Sequence, residues 1–302
     1  MRRRTFFSLP AAGLAAARQP ADPRDEIRRQ IARFDAEVFL YARNLSTGIS
    51  YAWRENERVR TASTIKLPIM AAVFDKVRRG EARWDEPIEL REQDKVSGSG
   101  VLRELSSGIR LPLRDLVRLM IVVSDNTATN LVLDRITADA VNAFLDTLGL
   151  KETRSLRKVR GDGTDLKAAS GWSKAGLLEE NRRFGLGVST SREMVELLAL
   201  LDQGEVVSPE DSREMLAILE RQQYKDGIGR RLSEYRVASK SGALDALRSD
   251  VGLVYTPKGA IAMAITVDGM KKVDYTEDNA GLLLIASLAR LLVDVLLAPP
   301  PA

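Results

Sequence analysis

The segment from Thr61 to Gly80 constrains the fold of this chain most, because its apolar residues follow the spacing of one helix face. The residues that share this face are Ile65, Ile69, Ala72, Val73 and Val77. Thr61 occupies the position of an N-terminal cap, and Gly80 the position where a left-handed residue commonly ends a helix. The sequence therefore predicts one helix with an apolar stripe across this segment.

Ser63 and Lys66 lie at the start of this predicted helix, and their spacing places both side chains on one face, where an amine can reach a hydroxyl. The free N–H groups of a helix start can also stabilise an oxyanion. A second Ser-x-x-Lys sequence begins at Ser155, but it lies in a polar stretch without an apolar stripe. We therefore interpret Ser63, and not Ser155, as a candidate nucleophile with Lys66 as its base.

The composition limits the chemistry, because the 302-residue chain contains neither cysteine nor histidine. It can form no disulfide, no thiol nucleophile, no Ser-His-Asp triad and no imidazole metal site. A serine hydrolase of this composition must use a lysine or a carboxylate as its base, and we expect no metal and no cofactor. The net charge is +4, with no basic block beyond the first four residues, which argues against a nucleic-acid partner.

Residues 1–17 have the anatomy of a secretory signal: arginines, a short apolar run and then small residues. Arg3 and Arg4 precede two phenylalanines, as in twin-arginine export signals. We expect cleavage after Ala17 and an exported protein, periplasmic or secreted; a disordered basic tail is the alternative. No later segment reads as a membrane span, so we expect no stable membrane anchor.

Strand patterns lie near both ends of the chain, and helical patterns lie between them. The predicted strands are residues 36–43, 49–53, 236–240, 250–255 and 260–267, and an apolar helix over 279–297 follows. This order predicts one α/β domain built from residues 18–60 and 224–302, with an inserted all-α domain from 61 to 223. Residues 155–187 show little periodicity and are predicted to form a long functional or disordered loop.

Two further motifs carry polar side chains at element ends. Ser124-Asp125-Asn126 joins two predicted helices, where a Ser and an Asn are ordinarily explained as caps. Lys240-Ser241-Gly242 ends a predicted strand, where a glycine lets a substrate lie against the backbone. The lysine and the serine offer donors to a carboxylate.

The three motifs, in this order, resemble the signature of class A β-lactamases and penicillin-binding proteins. The resemblance extends over about residues 23–297. It implies an α/β fold of two domains, in which an antiparallel sheet flanked by helices carries an inserted all-α domain. It also implies hydrolysis of a β-lactam amide through a serine acyl-enzyme, with a small-molecule β-lactam as the partner of a monomer.

The resemblance further implies a role for each matching residue. Ser63 would attack the amide carbonyl, Lys66 would accept or relay its proton, and Ser124 would pass a proton to the departing nitrogen. The implied substrate-binding residues are Asn126, Lys240, Ser241, Gly242, Ala243 and Arg248. Among these, Ala243 would complete the oxyanion hole with the N–H of Ser63. Arg248 would add to the carboxylate site, although its spacing is not the usual one.

One part of the family pattern is missing, because residues 155–187 contain no Glu-x-x-x-Asn, which supplies the base for deacylation in class A enzymes. The candidate carboxylates in this loop are Asp162, Asp165, Glu179 and Glu180. We favour Glu180, because Asn181 beside it can help to hold a water and the leucines at 177 and 178 can pin the loop inward.

Three alternatives stay open at this point. The first is a penicillin-binding D-Ala-D-Ala peptidase that is acylated and turns over β-lactams slowly. The second is a non-catalytic receptor that is acylated or binds peptidoglycan. The third is a general serine esterase, which would leave the Lys240-Ser241 pair without a carboxylate to bind.

Overall fold

The computed structural model describes residues 22–161 and 171–298, so the predicted signal segment 1–17 lies outside the described residues. Its α-helices are α1 (Pro23–Arg33), α2 (Lys66–Arg78), α3 (Leu113–Val122), α4 (Asn126–Ile136), α5 (Ala138–Thr147), α6 (Lys174–Leu177), α7 (Ser191–Gln203), α8 (Pro209–Glu220) and α9 (Ala280–Leu297). Its strands are β1 (Glu37–Asn44), β2 (Ser50–Trp53), β3 (Val59–Arg60), β4 (Pro87–Glu89), β5 (Arg110–Pro112), β6 (Arg154–Ser155), β7 (Gly187–Ser189), β8 (Arg236–Leu244), β9 (Leu247–Thr256) and β10 (Gly259–Asp268).

The main sheet is antiparallel, with the strand order β2-β1-β10-β9-β8. β1 from the N-terminal part of the chain pairs with β10, so both ends of the chain build one sheet. A turn at residues 256–259 joins β9 and β10, where Thr256 donates a hydrogen bond from its hydroxyl to the Gly259 carbonyl at 2.8 Å. The predicted fold class is confirmed, and β8 forms one edge of the sheet.

Helices cover the sheet on both faces, each with its own apolar cluster. α1 and α9 pack on one face, with the buried side chains of Ile27, Ile265 and Leu288 among those between the layers. On the other face α7 packs against β1, β9 and β10, and the core continues into α2, α3, α4 and α8. The helices therefore flank the antiparallel sheet as the resemblance implied.

α9 is 18 residues long and, by length and composition only, apolar enough to cross a membrane, with a mean hydropathy of 2.2. More than half of it, 56%, is buried inside the molecule, where it packs on α1 and the sheet. The expectation that no later segment reads as a membrane span is therefore corrected as far as length and composition go. The packing of α9 is that of a core helix.

The predicted helix from Thr61 begins differently from the prediction. Residues Ala62–Ile65 form a 3₁₀ turn, and the α-helix starts only at Lys66. Thr61 caps through its main-chain carbonyl, which accepts hydrogen bonds from the N–H and hydroxyl of Thr64 at 3.1 and 2.8 Å. Its own side chain makes no capping bond. At the other end Gly80 has the predicted left-handed backbone, with φ +73°.

The single apolar stripe of this helix is also corrected, because the first part of α2 is buried on every side. Residues 66–74 are all buried, since α3, α4, α5 and α8 pack around them. Phe74 meets the ring of Trp84 edge-on at 4.6 Å between centroids. A helix that is buried all round is the central element of its domain rather than a surface helix.

The segment 61–223, predicted to be all-α, is mostly helical but also contains short strands of two small sheets, one of which includes β3 (Val59–Arg60) from just before the segment. One has the order β3-β7-β6 and the other pairs β4 with β5. Their strands have two or three residues each, too few to show an alternating pattern in the sequence. In the poorly periodic stretch 155–187, the described residues form α6, β7 and a 3₁₀ segment at Glu179–Phe184.

Candidate active site

The three sequence motifs meet where the Ala62–Ile65 turn faces β8 and the joint between α3 and α4. Gly242 on β8 allows the close approach, because a Cβ at this position would lie 2.8 Å from the Thr61 carbonyl and 3.1 Å from the Ser63 nitrogen. Ala62, directly before the candidate nucleophile, has a left-handed backbone with φ +47°. The start of α2 and the edge strand are therefore packed backbone to backbone at Ser63.

Lys66 is fully buried beneath this contact and makes three hydrogen bonds. Its amine donates to the main-chain oxygen of Ser124 at 2.7 Å, to the Ser124 hydroxyl at 3.2 Å and to Asn126 Oδ1 at 2.9 Å. Burial lowers the pKa of Lys66 well below its usual value, the charge of Lys240 lowers it further, and Asp125 opposes both. A lowered pKa favours the neutral form of the amine, in which it can accept a proton.

The hydroxyl of Ser124 lies between two buried amines. It accepts from Lys66 at 3.2 Å and from Lys240 at 3.1 Å, and the Lys240 amine also donates to the main-chain oxygen of Ser241 at 2.7 Å. Burial lowers the pKa of Lys240 to about 7, and the carboxylate of Asp250 opposes this shift. Ser124 itself has a left-handed backbone, with φ +53°. The arrangement connects both amines through one hydroxyl.

The capping explanation of Ser124 and Asn126 is wrong, because the cap of α4 is Asp125. Its Oδ1 accepts the Ala128 N–H at 2.8 Å, and its Oδ2 accepts the N–H groups of Val101 and Leu102 at 2.6 and 2.8 Å. With Asp125 as the cap, the residues on either side of it are left to contact the lysines.

Asn126 is held at both ends of its amide group. Its Oδ1 accepts from Lys66 at 2.9 Å, and its Nδ2 donates to the Ser97 carbonyl at 3.0 Å. Gly98 makes room for this amide, since a Cβ there would lie 2.5 Å from Nδ2. The second N–H of the amide is the donor that the implied role toward substrate would use.

A cavity of about 280 Å³ opens over this cluster. The sequence-predicted residues that line it are Ser63, Ser124, Ser241, Gly242, Ala243 and Arg248. The structure thus brings all of them to one space. The far wall was missed by the sequence reasoning and includes Tyr224, Asp226, Tyr275 and Glu277. These residues lie in irregular segments without a motif, so the sequence contained no signal for them.

Arg248 faces the cavity but is fixed by main-chain oxygens. Its Nη1 donates to the carbonyls of Leu244 and Leu247, both at 2.6 Å, and its Nη2 donates to the carbonyl of Asp274. The guanidinium also lies 4.8 Å from the centre of the Tyr275 ring. A guanidinium has five N–H donors, so these contacts leave donors that can serve a substrate.

Ser155, the alternative serine, lies in the buried strand β6. Its N–H donates to Asn142 Oδ1 at 2.8 Å, and its carbonyl accepts from Asn142 Nδ2 at 2.9 Å and from the Ser173 hydroxyl at 2.9 Å. It is fully buried and does not line the cavity. These contacts describe a structural residue.

The two reasons for favouring Glu180 as a base are wrong. Leu177 and Leu178 point outward, 59% and 51% exposed, so they do not pin the loop inward. Asn181 is buried and already engaged, because its Oδ1 accepts from Arg58 and its Nδ2 donates to the Ala175 carbonyl at 2.8 Å.

Glu179 and Glu180 are both exposed, and neither lines the cavity. Glu179 forms an ion pair with Arg182 at 3.0 Å. Asp162 and Asp165, the other two candidates, lie outside the described residues.

The fold and the cluster of serine and buried lysines define a serine hydrolase of the class that contains β-lactamases and penicillin-binding proteins. The profile of the β-lactamase enzyme family matches residues 22–296, and the chain belongs to this family. The β-lactamase of Sphaerobacter thermophilus DSM 20745 is similar in structure, with a TM-score of 0.78 and 30% identity over 93% of this chain and 99% of that chain.

Two more distant structures share the fold. PBP-A has a TM-score of 0.77 and 24% identity over 91% of this chain and 95% of that chain. The class A β-lactamase from Mycobacterium abscessus has a TM-score of 0.76 and 21% identity over 91% of this chain and 100% of that chain. The resemblance that the motifs indicated is therefore confirmed.

Proposed function

We propose that this protein is a serine β-lactamase that hydrolyses the β-lactam amide through an acyl-enzyme on Ser63. The observation that carries the proposal is the pair of buried amines, Lys66 and Lys240, joined through the Ser124 hydroxyl beside the cavity that Ser63 lines. In a chain without histidine, this pair supplies both a base and a cation at one site.

In the proposed acylation the base is Lys66 and the proton donor is Ser124. The Ser63 oxygen forms a bond to the amide carbon as its proton passes to the Lys66 amine, which burial keeps able to accept it. The amide C–N bond then breaks, and the departing nitrogen takes a proton from the Ser124 hydroxyl. Ser124 is replenished from Lys66, whose amine donates to it at 3.2 Å. No proton is gained or lost in this sequence.

The substrate is held at two positions. The N–H groups of Ser63 and Ala243 flank the contact at Gly242 and are the donors for the oxyanion. Lys240 and Ser241 provide a cation and a hydroxyl for the substrate carboxylate.

A penicillin-binding protein with slow turnover is the second candidate, and one observation favours it. Deacylation needs an activated water, yet neither of the described candidate carboxylates, Glu179 and Glu180, lines the cavity. A PBP-A variant with a TM-score of 0.75 to this chain was captured as an acyl-enzyme complex with penicillin G. Activity past the first turnover therefore decides between the two candidates.

The test is to mix the purified protein with a chromogenic cephalosporin and to follow product formation past one equivalent. Many turnovers support the β-lactamase, while a burst of one equivalent with a persistent mass adduct supports the slow penicillin-binding protein. Ser63→Ala should abolish both signals, and the matched Ser155→Ala should keep them. Labelling by a fluorescent penicillin that survives Ser63→Ala would overturn the assignment.

We also propose that residues 18–60 and 224–302 form one α/β domain that carries the segment 61–223, and that residues 1–17 direct export. The first proposal is supported by the pairing of β1 with β10. The second is supported by the arginines and small residues of the N-terminal sequence. N-terminal sequencing of the protein from the native host should give a mature chain that begins near Arg18. Full-length protein found solely in the cytoplasm would count against export.

A further inference from the structure

A second, much smaller cavity lies against the Ala62–Ile65 turn that carries Ser63. Its volume is about 10 Å³, and it is lined by residues of the turn, of β7, of the start of α7 and of β9 and β10. Thr61, Ser191, Ser249 and Thr266 are among them. It shares no lining residue with the active-site cavity, so it is a separate feature of the molecule.

The lining of this small cavity is polar but uncharged. Most of the residues around it are serines and threonines, and none of the described lining residues carries a charge. A buried ion needs an opposite charge beside it, and the lining offers none. An apolar occupant would leave the hydroxyls unpaired. The lining therefore favours a small neutral ligand that forms hydrogen bonds.

Two of the hydroxyls, those of Thr61 and Ser191, form no hydrogen bond with the described residues. Both residues are buried, with 1% and 2% of their surface exposed. Buried hydroxyls in native proteins are nearly always paired, because an unpaired one loses its hydration without a replacement. Since both residues line the same cavity, one ligand can satisfy both groups.

A third polar group on the lining can also serve this ligand. Ser249 of β9 and Thr266 of β10 are partners in the sheet register, and their hydroxyl oxygens lie 2.8 Å apart. One hydrogen is enough for the bond between them, so the pair keeps a second O–H and further lone pairs. The Ser249–Thr266 pair can therefore donate to, or accept from, a molecule in the cavity.

The size of the cavity identifies the ligand. About 10–15 Å³ is needed to hold one water molecule, and an internal water typically forms about three hydrogen bonds to buried polar groups. The cavity volume of about 10 Å³ meets this lower limit for a single water. The hydroxyls of Thr61 and Ser191 and the Ser249–Thr266 pair supply the partners.

We propose that this cavity binds one internal water molecule, which bridges the hydroxyls of Thr61 and Ser191 and contacts the Ser249–Thr266 pair. The bridge connects the segment just before the nucleophile to the first turn of α7. Gly187 leaves room for the Thr61 hydroxyl, because a Cβ at Gly187 would lie 2.7 Å from it. The Thr61 N–H also donates to the Gly187 carbonyl at 3.1 Å. This inference does not depend on the proposed function.

A crystal structure of the wild-type protein tests the site directly. We expect an electron-density peak in the cavity at about 2.7–3.2 Å from the hydroxyl oxygens of both Thr61 and Ser191. A direct hydrogen bond between these two hydroxyls, or a cavity without density, would overturn the proposal.

Thr61→Val and Ser191→Ala remove the two hydroxyls with little change of shape, and the double variant should lose the density peak. Ser212→Ala is the matched control and should keep it. Ser212 is also buried near the start of a helix, but its hydroxyl donates to the Val206 carbonyl at 2.8 Å and it does not line the cavity. A peak that persists in the double variant would show that these hydroxyls do not hold the water.

Urea unfolding of the same variants measures the coupling between the two hydroxyls. Once either hydroxyl is removed, the water is held less firmly, so the other hydroxyl contributes less. The double variant should therefore reduce the folding equilibrium constant by about 2- to 10-fold less than the product of the two single effects. Thr61→Val and Ser212→Ala should give the simple product. A simple product for Thr61→Val and Ser191→Ala would refute the bridge.

Oxygen-17 relaxation dispersion of the solvent detects long-lived internal waters in solution and needs no crystal. The wild type should hold one more such water than the Thr61→Val, Ser191→Ala double variant, and Ser212→Ala should match the wild type. Equal amplitudes in the wild type and the double variant would overturn the proposal. No β-lactam enters this measurement, so a protein that does not react with β-lactams would remove the proposed function and leave the water site standing.

Discussion

Removal of the Ser124 hydroxyl is the most direct perturbation of the proposed chemistry. In Ser124→Ala the left-handed backbone of this residue stays as strained as before, since alanine and serine both carry a Cβ. The change deletes the one atom that accepts from Lys66 at 3.2 Å and from Lys240 at 3.1 Å. The substitution therefore tests the hydroxyl without changing the backbone strain at this residue.

The structure sets a limit on the loss of stability. Each amine keeps a main-chain acceptor at 2.7 Å, the Ser124 carbonyl for Lys66 and the Ser241 carbonyl for Lys240. We expect Ser124→Ala to lower the free energy of unfolding by about 1–3 kcal/mol, the range for hydrogen bonds to charged groups.

The expected loss of activity is larger. A positioned proton donor contributes about 10²–10⁴-fold, which is about 3–5 kcal/mol of activation free energy at 1.36 kcal/mol for each factor of ten. The acylation rate should therefore fall by more than the loss of stability explains.

The two effects can be measured on the same samples. Stopped-flow labelling with a fluorescent penicillin gives the acylation rate, and thermal unfolding gives the stability. Ser124→Gly is the matched variant, because it also lacks the hydroxyl. It removes the strain of the left-handed backbone, which costs a residue with a Cβ about 1 kcal/mol. We expect it to acylate as slowly as Ser124→Ala and to be the more stable of the two. Acylation by Ser124→Ala within about threefold of the wild type, or a rate restored in Ser124→Gly, would refute the relay.

Three other substitutions test the remaining parts of the site. Lys240→Ala should weaken acylation by about 1.5–3 kcal/mol, the value of a charge-assisted contact, while Lys240→Arg should keep most of the rate; equal losses would indicate that Lys240 acts on Lys66 instead. Glu180→Gln should leave turnover unchanged, because the carboxylate is exposed and outside the cavity lining; an acyl-enzyme that persists would restore Glu180 as the base. Between the lowered pKa of Lys66 in the folded protein and about 10.4 in the unfolded chain, the unfolded chain binds more protons than the folded one, so the free energy of unfolding rises with pH. Lys66→Met should flatten the rise of Tm with pH in this range. An unchanged slope would contradict the burial of a neutral amine.

The parts of the fold that the sequence predicted are those with a regular pattern over many residues. β1 and β10 are largely apolar over eight and ten residues, β9 is largely apolar from Val251 to Tyr255, and all three lie within a few residues of their predicted bounds. The helix over α2 was found for the same reason. The candidate residues at Ser63, Ser124 and Lys240 were found because each belongs to a short motif, and the three occur together in order.

Features that depend on contacts between distant residues were not predictable. Ala62 and Ser124 have left-handed backbones, but neither is a glycine or an asparagine, the residues that usually indicate this conformation in a sequence. Both lie where the Ala62–Ile65 turn and the α3–α4 joint meet β8. Tyr275 reaches the site from an irregular segment. The hydrophobic periodicity of a segment indicates its secondary structure but not which residue it faces on the neighbouring strand.

The burial of α2 links the fold to the proposed chemistry. A lysine has a pKa near 10.4 in water, where it is a poor base at neutral pH. Lys66 lies in the first turn of a helix that four other helices enclose, so burial lowers its pKa while Ser124 and Asn126 still satisfy its hydrogen bonds. An α2 exposed along one side, as its apolar stripe alone suggests, would leave Lys66 solvated and fully charged. The burial of the first part of α2 on every side is therefore the feature that makes a lysine usable as the base in a chain without histidine.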